Sequence, residues 1–249
     1  MSRVFLAVAS IAVMLTGALS AKGDLVTFSA SGVGVDSHPL NASVTFEISG
    51  NSLIVTLANT ASTSAVVPAD ILTGVFFTWA GNPALVDQTA TLAGGSSVLF
   101  PSSGDGTDGG QVGGEWAYAH SLSGAPGGAN QGISSTGLGL FGDATFAGAN
   151  LQGPVAVNGF SYGIVPALGT AGGNAPLTGP NAFIMNSVVF NFDITGLNVS
   201  LDDISNVSFQ YGTSLTEPSI TTIVPEPATF LLLGLGLSGL GVRRWRMRA

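Results

Sequence analysis

The chain has 249 residues, of which 8% are charged and 36 are glycine. All six basic residues lie near the two ends and all fourteen acidic residues lie between Asp24 and Glu226, so the stretch 23–242 has no Lys or Arg. That excludes the basic footprint a nucleic-acid-binding surface needs, and the absence of Cys excludes disulfides, thiolate metal sites and cysteine nucleophiles.

At the start, Arg3 precedes an apolar run over 4–15, and the small residues Ala18 and Ser20 follow. This is the pattern of a secretory signal peptide over 1–21, removed by signal peptidase after Ser20 or Ala21.

The body, 22–223, is long enough for one sizeable β domain that needs no disulfides. Its clearest local signal is a β-hairpin, with runs 43–48 and 53–57 separated by Ser49-Gly50-Asn51-Ser52. Val44, Phe46 and Ile48 share one face of the first run, and Leu53, Val55 and Leu57 share the matching face of the second. Further strands are expected at 25–29, 72–79, 97–100, 156–162, 187–194 and 207–211. Pro68-Ala69-Asp70 is expected to form a short turn before the strand at Leu72. The stretch 101–131, rich in Gly and Ser, reads as long surface loops around a short strand at Glu115-Trp116-Ala117-Tyr118. Helical periodicity is sustained nowhere between 24 and 220, and no repeat occurs. Short strands spaced by Gly-rich turns predict an all-β fold, a single β-sandwich of jelly-roll type.

Little in the body points to chemistry. Asp105 and Asp108, on the Gly-rich stretch 104–110, are a weak candidate for a Ca²⁺ site, since a third carboxylate is missing. No other cofactor is expected. His38 and His120 are the only histidines, and a surface or hydrogen-bonded structural role is the expectation for each. Asp202-Asp203 reads as a solvated turn. Two Gly-x-Gly-x-x-Gly matches, starting at Gly137 and Gly234, lack the strand–helix setting of a dinucleotide site.

At the other end, Pro225-Glu226-Pro227 leads into an apolar stretch, 228–242, followed by Arg243, Arg244, Trp245, Arg246 and Arg248. Pro227 suits a first helical position. An apolar helix over 228–242 can span a bilayer if the arginines of the tail 243–249 snorkel, and the positive-inside rule keeps that tail cytoplasmic. The order Pro-Glu-Pro, Leu/Gly helix, Arg cluster resembles the PEP-CTERM sorting signal of Gram-negative bacteria. The resemblance covers 224–249. It implies a membrane intermediate, processing near the Pro-Glu-Pro motif by an exosortase, and delivery to the cell surface or extracellular matrix. Segments 134–141, 158–163 and 207–213 are also similar to a recurring subgroup of such proteins, which brings no activity with it.

The resulting expectation is an exported, non-enzymatic surface or matrix protein that contributes to adhesion, biofilm or an exopolysaccharide layer. The alternative is a surface carbohydrate-binding module using Trp79, Trp116, Tyr118 or Tyr162 as stacking platforms, although a core position is the expectation for all four. Less favoured are a secreted hydrolase and an ice-binding protein, the latter wanting a flat face of regular Thr arrays.

Overall fold

The computed structural model describes residues 25–100, 110–142, 145–148, 161–171, 177 and 181–222. The signal segment 1–21, the C-terminal segment 224–249 with its expected helix, and the first five residues of the strand expected at 156–162 lie outside the described residues.

Thirteen strands are described: β1 (Leu25–Val33), β2 (Pro39–Ser49), β3 (Ser52–Asn59), β4 (Leu72–Trp79), β5 (Val86–Leu92), β6 (Ser97–Leu99), β7 (Ala117–His120), β8 (Gln131–Ser134), β9 (Ile164–Val165), β10 (Phe183–Met185), β11 (Ser187–Asp193), β12 (Ile204–Tyr211) and β13 (Ser219–Thr221). They form two sheets. The first has the order β1-β2-β3-β11-β5. The second runs β13-β12-β4-β9-β10-β6, with β8 paired to β4 and β7 paired to β8. Pairing is antiparallel throughout except for β9 with β10.

The β2–β3 hairpin follows its hydrophobic pattern. Val44 pairs with Leu57, Phe46 with Val55 and Ile48 with Leu53, so the six apolar side chains share the inward face. All but Ile48 are fully buried. The two-residue turn is Gly50-Asn51, with Gly50 at φ 60° and Asn51 outside the positive-φ region. A positive φ at the first central residue is what a type II′ turn asks for, and its twist matches that of the flanking strands.

The two sheets share one core. Phe46 of β2 meets Phe77 of β4 edge to face at 5.0 Å between ring centroids. Phe190 and Phe192 of β11 join Phe209 and Tyr211 of β12 in the same cluster. The second sheet is also covered on its outer face. There Phe76 packs with Ala125 and Ala129 under Leu138 and Phe141. Ile71, Val165, Leu177 and Phe183 form a further apolar cluster. Because β4 is covered on both faces, it reads in sequence as a continuous apolar run rather than an alternating one.

Three readings change. The stretch between 110 and 131 is not a set of surface loops alone: Val112, Trp116 and Ala117 are buried, and the Trp116 ring packs on Phe190 at 5.1 Å. An indole is too large an apolar surface to leave in a solvated loop when a sheet edge can cover it. Tyr162, expected in a strand, instead sits buried in a turn at φ 58°. Strands β5, β8, β9, β10 and β13 fall where the sequence pattern predicts none.

Candidate functional site

The sequence-predicted residues Pro225, Glu226, Pro227, Arg243, Arg244, Arg246 and Arg248 lie outside the described residues, as do Asp105 and Asp108. Among the described residues, no group of three or more His, Asp or Glu side chains is placed to hold a metal ion. No described helix is long and apolar enough to cross a membrane.

Three of the four aromatic platforms proposed for carbohydrate stacking do not reach solvent. Trp79, Trp116 and Tyr162 are fully buried. The Trp79 indole N–H donates to the carbonyl of Ser200 at 3.1 Å. Tyr118 is half-buried between the sheets' edges, with its ring edge to face on Phe192 at 5.0 Å. Its hydroxyl donates to Gln131 Oε1 at 2.9 Å. Burial, with the Asp87 charge adding to it, raises the Tyr118 phenol well above its ordinary value. Trp79, Trp116 and Tyr162 are thus core residues, and Tyr118 packs against the core from a half-buried position.

The structure does assemble polar chemistry at one place, between the loop entering β2 and the loop leaving β3. The chain turns after β1 through Asp36 and Ser37, both at positive φ. That tight reversal, closed by the Gly34 N–H donating to the His38 carbonyl at 2.8 Å, delivers His38 to the mouth of β2. On the other side, the loop 60–71 is tied down at Ala65, which bridges to Thr170. Pro68–Asp70 forms a single 3₁₀ turn, matching the turn expected there. Asn59 braces the turn by donating from its side chain to the carbonyls of Asp70 (3.3 Å) and Ile164 (3.0 Å).

Asp70 is the buried centre of this arrangement. Its Oδ2 accepts the backbone N–H groups of Val66 at 2.9 Å and Val67 at 3.1 Å. Both carboxylate oxygens face His38 Nδ1, at 3.2 and 3.1 Å. An ionised carboxylate only accepts, so a proton belongs on His38 Nδ1, and in the neutral ring Nε2 is then the open acceptor. The side chain of His38 is 27% exposed against 7% for Asp70, so the histidine forms the outer member of the pair. In a body without Lys or Arg, two amides and one imidazole are what compensate this buried charge. Burial, with the Asp70 charge as a second cause, holds the Tyr211 phenol above its ordinary range.

The dyad opens onto a cavity of about 230 Å³ lined by His38, Pro39, Ala61, Val66, Asp70 and Pro166 together with Thr63, Ser64 and Ala65. Ser64 does not complete a nucleophilic triad: its hydroxyl donates to the Leu168 carbonyl at 3.3 Å. The His38 reading as a hydrogen-bonded structural residue agrees with this geometry. Its partner Asp70 and the cavity beside it were not anticipated, and Pro68-Ala69-Asp70 beside a pre-proline His was the only signal in the sequence. His120, by contrast, is exposed and bonds only the neighbouring Ser121 hydroxyl, at 3.0 Å, while lying over Tyr118. Asp202 and Asp203 sit exposed on a 3₁₀ turn capped by Ser200, as a solvated turn should.

Comparison with known proteins gives one positive result. A family model for the PEP-CTERM protein-sorting motif matches residues 224–246. The matched span includes Pro225-Glu226-Pro227 and the first three arginines of the basic cluster. No curated protein and no solved structure matches the chain. The chain therefore carries, at its C-terminal end, a PEP-CTERM protein-sorting motif.

Proposed function

We propose that this chain is an exported cell-surface or extracellular-matrix protein that works without catalysis, through a jelly-roll-like β-sandwich released from a membrane intermediate. The observation that carries this reading is the sorting motif at 224–246. That motif implies processing by an exosortase. In such a segment the apolar stretch and the arginine cluster hold the chain in the membrane until a transpeptidase acts, the logic shared by other disposable C-terminal anchors. A contribution to adhesion, biofilm or an exopolysaccharide layer follows from that destination alone. The two sheets joined through one core support the sandwich.

Mass spectrometry of the C-terminus of protein taken from the native host tests the reading. Processing predicts a chain ending near Glu226 on the surface. An intact Arg248 on a surface-exposed chain means a retained anchor, and a body inaccessible to labelling from outside the cell overturns export altogether.

A further inference from the structure

We propose that the cavity beside His38 and Asp70 is a binding site for a neutral, ring-sized molecule with an apolar body and one hydroxyl group, an alcohol or a phenol. The size argument comes first. The cavity measures about 230 Å³, and an apolar cavity of about 150 Å³ is enough to admit a benzene-sized ring. Its walls are mostly hydrocarbon, from Pro39, Ala61, Ala65, Val66 and Pro166. Such walls favour an apolar body, and a few placed polar groups fix its orientation.

The polar side follows from who is already bonded to whom. Asp70 is occupied by His38 Nδ1 and two backbone amides. Its side chain is only 7% exposed and already engaged by these three donors, so a ligand ammonium would have to compete with His38 for it. Ser64 is committed to the Leu168 carbonyl. That leaves His38 Nε2, which has no partner among the described residues. In the neutral ring it is an acceptor, and it selects a hydroxyl donor. An anion is disfavoured on both scales: the nearest full charge is the Asp70 carboxylate, and the stretch 23–242 offers no Lys or Arg. An anion is thus repelled by the carboxylate and an ammonium competes with His38 for it, which leaves a neutral hydroxyl compound as the ligand that keeps the dyad intact. A base and its orienting carboxylate without a nucleophile in reach also make this a holding site rather than a cleaving one.

The two histidines make the test direct, because His120 is an internal control. The full-length chain, labelled with ¹⁵N at histidine, is titrated in turn with cyclohexanol, phenol, cyclohexanecarboxylate, cyclohexylammonium and methyl glucoside while the imidazole resonances are followed. The expected result is a saturable shift of His38 Nε2 with cyclohexanol or phenol and no shift at His120. The carboxylate and the ammonium should bind at least about tenfold more weakly. Ala61→Leu, which adds bulk to the cavity wall at a residue outside the dyad, should weaken binding by about tenfold or more. Its melting temperature, measured alongside, establishes that it is folded. The proposal is overturned by equal shifts at both histidines, by no shift with either hydroxyl compound, by tighter binding of the charged probes or of methyl glucoside, or by a folded Ala61→Leu variant that binds as well as the parent.

Discussion

Two aspartates show how the same side chain is handled differently when no Lys or Arg is at hand. Asp70 is buried, but three donors surround it. Asp87, on β5, is half-buried without such a set. Burial raises its carboxyl above the ordinary 3.8, against a smaller opposing effect of its own backbone N–H. The folded state then binds this proton more tightly than the unfolded one, so ionised Asp87 costs stability above its raised value. The cost is relieved as the pH falls through that value toward the ordinary one. Asp87→Asn should therefore stabilise the body at pH 7 by less than about 1 kcal/mol. The advantage should vanish near pH 4 and below. Thermal unfolding across that range checks both statements, and an advantage that grows on acidification contradicts them. His38 also shows the limit of reading residues singly. A structural role was legible from its place before Pro39, but its meeting with Asp70, 32 positions away, depends on how two loops are anchored to different sheets.

At the scale of elements, legibility tracked the strength of the local pattern. The β2–β3 hairpin was visible because alternation on both strands and turn chemistry agree, and its register follows that pattern pair for pair. β4 and β11 were visible as apolar runs close to their observed bounds. β5 was not, because Val-Asp-Gln-Thr-Ala-Thr-Leu at a sheet edge buries only Ala90 fully. β9, β10 and β13 have two or three residues each, too few to show any period. Their pairing is decided by neighbours far along the chain, as tertiary context commonly decides strands. Where local chemistry does govern, single changes should tell. Gly50 has open space around it, so only its positive φ resists a side chain. Gly50→Val should cost about 1–2 kcal/mol, the strain of a β-branched residue in the left-handed region. Chemical denaturation measures it, and an unchanged midpoint argues against the turn as drawn.

For the whole molecule, the fold class was legible and the layering was not. Composition and spacing pointed to two β sheets, but nothing in the Gly-rich middle announced that 110–142 would fill an edge of the core with Trp116 and cap the outer face of β4 with Leu138 and Phe141. The sorting segment needed no fold to be read, since its three parts stand in linear order. The charge distribution yields a check independent of any fold. Trypsin cuts after Lys and Arg, so 23–242 should survive digestion as one fragment even in denaturant, and mass spectrometry should find no internal tryptic peptide.

The last described strand, β13, meets the first, β1. A side chain at Gly32 of β1 would collide with Ile220 of β13, which puts β13 beside the end of β1 that leads into the His38 loop. From Gly32 to Leu25, where β1 pairs with the residues leading into the Gly50-Asn51 turn, is about 23 Å at the usual rise of a strand. That turn and the end of the last described strand therefore lie at opposite ends of β1. The His38 cavity lies at the same end as the last strand, remote from the turn.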